Sequence, residues 1–548
     1  MPSRDKSSDV DLLTQAQTAY AERSWTAAFD AFSSADSSGQ LNPADMELFA
    51  MTAFMLGRVR EMLDIEERAH HAYLEKGDRL NAARSGLWLA MNLASRGKFP
   101  QASGWVEVSE RLLESEPDDC IAHGYALMPA MLRSAAMGDF EQVADLGGRA
   151  ADIGRKFNDA DLTALAAQTR ARALLHMSRT DEGLRLLDEV MISVTGSQLS
   201  PMATGLVYCS ILEGCYETHA FTRAAQWTQA LTDWCGEQPD LVAFNDQCLA
   251  HRSEILRLQG AWTQAATEAK RAGDAGARFQ IAAQAHYQLG EIQRMRGEFA
   301  AAEATYHQVA LDGGEPMPGL ALLELAEGHP EAAHTLLAEA LSEATSPFDR
   351  IQLLAAFNET SIAVGNLSDA ASAVSELSEI AESTGTEAHV GWAAQAEGRL
   401  ALAENRLTQA VVHFKRAKGV WQSLSFPYEL ARCRVDLSRA LKARGDDAGA
   451  VRECKAARST FVELGAMPDI RTIDMLVNPP RSEWPAGLTD REVEVLRMVS
   501  SGATNRAIAA DLVVSERTID RHVSNIFTKI DVSTRAAATA WAIRNGLA

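Results

Sequence analysis

The sequence predicts an all-α protein: an α-solenoid of about twelve stacked helix pairs, then a compact four-helix domain. Three observations predict it. The 548 residues are 47% hydrophobic but only 6% aromatic, and the excess of Ala, Leu and Glu favours helices. A turn, a large apolar residue and a small alanine recur about every 40 residues, the period of a helical repeat. Near the C-terminus this rhythm stops, and four closely spaced helix starts replace it.

Residues 1–9 read as a disordered tail, since MPSRDKSSDV is polar and lacks the apolar core of a signal peptide. Residues 10–466 hold the repeats. The clearer units open at Trp25, Phe99, Phe140, Phe221, Trp262, Phe299, Pro330, Leu367, Leu407 and Asp447. The partner alanines are Ala28, Ala102, Ala144, Ala224, Ala265, Ala302, Ala333, Ala370, Ala410 and Ala450, while Gly57 and Ser178 mark two weaker units. The alanine lets two helices approach closely. A preceding glycine supplies the positive φ needed to leave the first helix. The large apolar residue is expected to fill the groove to the next pair. Residues 467–487 read as a Pro-rich linker, because Pro468, Pro479, Pro480 and Pro485 oppose helix continuation.

Residues 488–548 carry four short helices. Thr489 with Glu492 is a capping box, so a helix starts at Asp490 and stops at Gly502. Thr504 caps a second helix and Ser515 a third, with Val513-Val514 as a tight joint. A fourth runs from about Thr534 to Asn545. In the third, Ile519, Val523, Ile526, Phe527 and Ile530 make one buried face. Arg517, Asp520, Arg521, Ser524, Asn525 and Thr528 are left outside. Two short helices at a tight joint, the second with a polar outer face, form a helix-turn-helix.

The blocks LTDREVEVL, TNRAIAADL, SERTIDRHVSNI and TRAAATA resemble the LuxR-type (FixJ/NarL-like) DNA-binding domain at matching spacing. The repeats resemble the longer tetratricopeptide-like units of large, MalT-like LuxR-type regulators. The resemblance implies a transcriptional regulator whose third tail helix enters the major groove of double-stranded DNA. It assigns base contacts to Asp520, Arg521 and Ser524. Backbone contacts fall to Thr504, Ser515, Arg517, Thr518, His522, Asn525 and Lys529. Two alternatives stay open here: Asp520 as an ion-pair partner of Arg517, and His522 as a packing residue. Asn505 and Arg535 match positions that are more often structural or phosphate-facing. Ala537, Ala540, Trp541 and Arg544 resemble the family's dimer surface, with Trp541 equally placed to be core. A homodimer on an inverted-repeat operator is implied. Two departures from the family are Ala507, where Glu is usual, and Asp531, where Gly is usual.

Charge separates the two parts. Net charge is −22, and residues 488–548 hold eight basic against seven acidic side chains. An acidic body does not wrap nucleic acid, which confines DNA to the tail. Seven scattered cysteines, among them the loose group Cys209, Cys215, Cys235 and Cys248, suggest free thiols in a reducing cytoplasm. No phosphate-binding loop G-x-x-x-x-G-K-[ST], H-E-x-x-H or G-x-S-x-G occurs. No enzyme, nucleotide, metal or other cofactor is therefore expected, and no membrane span. The body is then the expected sensor, either of a small-molecule effector or of a protein or peptide partner. Aromatic and Met-rich positions are candidates to line an effector pocket: Trp88, Tyr125, Met128, Met131, Tyr208, Tyr216, Trp227 and Trp234. The uncharged stretch 190–212 is expected to border it. The alternative is that these side chains pack between repeats.

Overall fold

A computed structural model describes residues 6–117, 119–196, 198–238, 240–274, 279–477 and 484–547. The chain divides into two compact units, Met1–Ile470 and Arg471–Ala548. Among the described residues the first contains twelve helix pairs. The first four are α1 (Lys6–Ala21) with α2 (Trp25–Ser37), α3 (Pro43–Met55) with α4 (Val59–Glu75), α5 (Arg79–Ala94) with α6 (Phe99–Leu113), and α7 (Ile121–Ala136) with α8 (Phe140–Lys156). Next come α9 (Ala160–His176) with α10 (Thr180–Thr195), α11 (Pro201–Glu217) with α12 (Phe221–Gly236), α13 (Asn245–Leu258) with α14 (Trp262–Asp274), and α15 (Phe279–Arg296) with α16 (Phe299–Leu311). The last four are α17 (Gly319–Glu327) with α18 (Pro330–Glu343), α19 (Pro347–Ala363) with α20 (Leu367–Thr384), α21 (Glu387–Ala403) with α22 (Leu407–Ser423), and α23 (Pro427–Ala443) with α24 (Asp447–Leu464).

One turn joins the helices of every pair. A residue at positive φ ends the first helix, and the next amide bonds back to a carbonyl one turn earlier, as Lys98 N does to Leu93 O at 3.0 Å. This is a Schellman stop. Glycine fills the position in eight pairs, but Arg23, Ser178, His219 and Asn405 take it in the others at φ between 54° and 59°. A non-glycine there costs roughly 1 kcal/mol, which stacking outweighs. Ala28, Ala224, Ala265, Ala302, Ala333, Ala370 and Ala410 are fully buried. In the fourth unit Val143 is buried and Ala144 only half-buried, because the inward face there falls one residue earlier. The expected apolar plugs are buried at Trp25, Phe221 and Trp262, but Phe99 is 65% exposed.

The stack coils back on itself. Val242 N and Ala243 N, in the α12–α13 connection, donate to Met55 O at the end of α3. Further along, His219 and His389 are bonded at 2.9 Å although 170 positions apart. Phe221 packs on Trp392 and Phe426, and Trp262 on Tyr428. The histidine link has one possible polarity. Thr384 Oγ1 donates to Ile380 O, so it accepts from His389 Nδ1–H; His389 Nε2 then accepts from His219 Nδ1–H, and His219 Nε2 accepts from Gln352. Both rings are neutral in this chain. Burial pushes both below the ordinary imidazole value, His389 to about 4.

The inward face of the later repeats is a neutralised ion network. Glu359 accepts from Arg399 at 3.0 Å and from Arg432 at 2.7 Å; Arg399 also donates to Asp436, and Arg294 to Glu291. Burial alone would raise the Glu291 and Glu359 carboxyls, yet the guanidinium groups outweigh it and hold both at about 2.

Two expected boundaries shift. α1 begins at Lys6, inside the expected tail, while residues 1–5 lie outside the described residues. Part of the expected linker is a helix, α25 (Met467–Val477). Pro468 sits in its first turn, where a missing N–H costs nothing, so it starts this helix rather than breaking one. Pro479 and Pro480 lie outside the described residues.

The second unit holds α26 (Asp490–Ser500), α27 (Asn505–Asp511), α28 (Glu516–Lys529) and α29 (Arg535–Arg544). Thr489, Thr504, Ser515 and Thr534 each accept a bond from a first-turn amide. Their shared core includes Leu496, Val499, Ile508, Ile519, Ile526 and Ala542. Val513 and Asp531 both stand at positive φ, 54° and 53°. No helix among the described residues is long and apolar enough to cross a membrane.

Candidate nucleic-acid interface and interior cavity

The helix-turn-helix is α27, the joint 512–515 and α28. Ile519, Val523, Ile526 and Ile530 anchor α28 to the core, and Phe527 is half-buried beside them. This turns Arg517, Asp520, Arg521, Ser524, Asn525 and Thr528 outward, all exposed. His522 is half-buried at the flank of that face.

The hydrogen bonds separate free groups from engaged ones. Ser515 accepts from Thr518 N at 3.2 Å, and its hydroxyl lies 2.7 Å from that of Thr518. Thr504 accepts from Ala507 N, so both serve first as caps. Asp520 pairs with neither Arg517 nor any other cation among the described residues. Instead Asn505 Nδ2 donates to it at 2.8 Å, while Arg535 donates to Asn505 Oδ1 at 2.7 Å and to Ala503 O. Asn505 and Arg535 thus brace the reading face from behind. That link joins α27, α28 and α29, so spacing within any one helix does not reveal it.

Lys529 is also engaged. Its ammonium lies 2.7 Å from Glu492 Oε2 and 3.0 Å from Gly487 O. Burial works against charge on Glu492, but Lys529 and the Thr489 amide and hydroxyl outweigh it and hold the carboxyl below its ordinary value. Without DNA, Lys529 ties α28 to the start of α26. On α29, Ala540 and Arg544 are exposed and Ala537 half-buried, whereas Trp541 packs partly on the core. Ile543, not singled out from the sequence, is 62% exposed beside them. Its place outside the buried Ala538 and Ala542 was the available signal.

The body holds a cavity of about 650 Å³ inside its first turn. Trp88 and Met91 on α5, Met128 and Met131 on α7, and Leu165 on α9 line it, with Met202 and Leu206 on α11. The α12–α13 connection closes it with Val242, Ala243 and Phe244. Of the eight expected pocket residues, Trp88, Met128 and Met131 are there. Tyr125, Tyr208, Tyr216 and Trp234 pack between repeats, and Trp227 lines a separate cavity of about 520 Å³ beside His219 and Phe221. Tyr125 donates to Asp159 and Tyr216 to His251 O, Tyr208 faces Trp234, and Trp227 packs on the core. Met202, Leu206, Cys209 and Ser210 bring the uncharged stretch 190–212 to the cavity wall. Cys209, Cys215 and Cys248 are buried thiols and Cys235 a half-buried one. Among the described residues Glu324, Glu327 and His329 alone lie at metal-ligand spacing, as a mostly exposed surface group.

The cap-and-core pattern of the second unit has close counterparts. Residues 486–542 match the family described as bacterial regulatory proteins, luxR family. One relative is the transcriptional regulatory protein YhcZ of Bacillus subtilis, 37% identical over 81 residues, which are 15% of this chain and 38% of that protein. Another is a nitrate/nitrite response regulator protein homolog of Haemophilus influenzae, 48% identical over 52 residues, 10% of this chain and 25% of that protein. The chain therefore spans well under half the length of these curated relatives. A solved structure of an APC/C hetero-tetramer, Cut9–Hcn1, aligns with 85% of this chain and 96% of its own at 12% identity and a TM-score of 0.37. Residues 486–542 are a LuxR-family regulatory domain, and among the described residues it follows a body of helical repeats.

Proposed function

We propose that this protein is a DNA-binding transcriptional regulator whose body senses a small-molecule effector and controls pairing or exposure of the tail. The observation that carries the first half is the α27–α28 helix-turn-helix, with an exposed row of Arg517, Arg521, Ser524 and Asn525 above an apolar seat, within a luxR-family match. Such a row suits base edges, and Arg521 suits the O6 and N7 of guanine. Asp520, braced by Asn505, excludes bases that present only acceptors.

With a domain charge near zero, few phosphates are neutralised, so one copy binds weakly and a homodimer on an inverted repeat is required. The exposed Ala540, Ile543 and Arg544 of α29 are the surface for pairing. Selection of bound sequences from a random double-stranded pool tests this reading. A palindrome is expected; recovery of no preferred sequence sinks it. Arg521→Ala should relax one base position at a cost of about 1–3 kcal/mol. A loss spread evenly over all sequences would make Arg521 a phosphate contact.

The cavity supports the second half. Its volume suits a ligand of drug size and its lining is mostly apolar with a few polar groups. A protein or peptide held along the coil is the competing occupant. A ligand that raises the melting temperature of the body and shifts DNA affinity supports the effector; a co-purifying protein with no such ligand supports the partner.

A further inference from the structure

We propose that the cavity inside the first turn of the body takes an amphipathic organic cation, an apolar or aromatic body bearing one protonated amine, with the amine seated at Asp246. This rests on reading the body as a small-molecule sensor.

The cavity combines two chemistries. Its walls are thioether and aromatic: Met128, Met131, Met202, Trp88 and Phe244. Methionine side chains adapt to the shape of a ligand, and aromatic faces attract cations. Its charged groups are mostly answered within the protein. Glu213 accepts from Arg172 at 3.1 Å and from Gln247 at 2.6 Å. Arg96, in the turn after α5, donates to Asn92 O at 2.6 Å. Asp246 lines the same cavity, and no hydrogen bond or ion pair to its carboxylate is present among the described residues. Burial raises its carboxyl, and no cation offsets that rise. The first turn of α13 favours its charge but does not replace a counter-ion. A neutral ligand leaves this carboxylate without one, and an anion repels it.

The backbone around Asp246 is unusual in the same direction. Phe244 sits two residues earlier at φ 67° and ψ −10°, an outlier for a bulky side chain. Its ring lies where a Cβ on Gly205 would be, at 2.2 Å, so only glycine at 205 admits it. The neighbouring Val242 and Ala243 amides are bonded to Met55 O. Glycine, strain and cross-turn bonds together hold the connection over the cavity and fix where α13 starts. A cation bridging Asp246 and the α5–α7 wall therefore ties the α12–α13 connection to the first repeats.

The test is calorimetric titration of the full chain with three isosteric probes: 4-phenylbutylamine, 4-phenylbutan-1-ol and 5-phenylpentanoate. The amine should bind at least about tenfold more tightly than the alcohol, with the carboxylate weakest. Asp246→Asn should bring the amine down to the alcohol and leave the alcohol within about twofold. Leu206→Trp fills the cavity and should abolish all three; Ser95→Trp, from an exposed rim position, serves if that variant does not fold. The proposal is overturned if the carboxylate binds best, if the amine keeps its advantage in Asp246→Asn, or if no probe binds the folded chain. Amine binding that leaves DNA affinity unchanged would sink the sensor reading while the cation site stands.

Discussion

The body is built from helices of 9 to 18 residues and the LuxR-family domain from helices of 7 to 14, and the two hold them in different ways. In the domain every helix start has its own side-chain cap: Thr489, Thr504, Ser515 and Thr534. In the body the second helix of most pairs starts without one, at Ser24, Arg58, Lys98, Arg179, Ala220, Glu298, His329 and Arg406. There the Schellman turn and the neighbours on either side do the positioning. A small core cannot fix four helix ends by burial, so local hydrogen bonds must. A long stack fixes them by packing and leaves the cap positions free to vary.

This contrast breaks most readily at Trp421, fully buried on α22, with Nε1 donating to Gln395 and its ring packed on Trp392 and Phe426. Trp421→Ala should destabilise the body by about 3–5 kcal/mol in chemical denaturation and leave the domain's own transition in place. If both transitions move together, the two parts are not held independently.

Acid sharpens the contrast next. His219 and His389 are neutral in the folded body and depressed from the ordinary 6.5. The unfolded chain binds their protons first, so their contribution is complete above about pH 6.5 and is lost as pH falls toward 4. The slope is about 1.4 kcal/mol per pH unit for each ring within that window. Melts of the body from pH 7 to 4.5 should show it on top of the like-signed contributions of the other depressed rings, His70, His176 and His251, and His389→Gln should lower the slope by up to about 1.4 kcal/mol per pH unit. An unchanged slope would remove the histidine link from the account of how successive turns are held.

A smaller effect is expected at Glu492, which serves the cap of α26 and Lys529 at once. Glu492→Gln should cost the domain about 2 kcal/mol. With the carboxyl held below its ordinary 4.5, wild-type stability should fall as pH drops below that value, and the variant should not follow. The smallest change is a gain. Val513 is 89% exposed at φ 54°, so Val513→Gly should stabilise the domain by about 1 kcal/mol. A loss there would mean that the valine side chain supports the joint.

Much of this architecture is legible in the chain because its signals are short-range. All twelve second helices begin where a turn residue and the spacing place them, even where glycine is replaced by Arg23, Ser178, His219 or Asn405. The four domain helices follow from cap residues within three positions of each start. What stays hidden depends on longer range. The pitch of a solenoid arises from small rotations added over several pairs, so nothing near His219 points to His389. For the same reason Tyr208, Tyr216 and Trp234 look like Trp88 in the sequence, yet they pack between repeats. The Asp520–Asn505–Arg535 brace joins three helices and is equally invisible to periodicity. Pro468 misled because proline breaks a helix or begins one according to its position in the turn.

The bonds between successive turns carry a mechanical consequence. A coil whose turns already touch cannot shorten; it can only open, like a spring compressed to its solid height. Opening must pull the α12–α13 connection off Met55 and stretch the cavity beside it. On the proposed reading, an occupant bridging that connection and the α5–α7 wall would act as a latch on this motion, and occupancy would be read along the coil as stiffness rather than as a local change of shape.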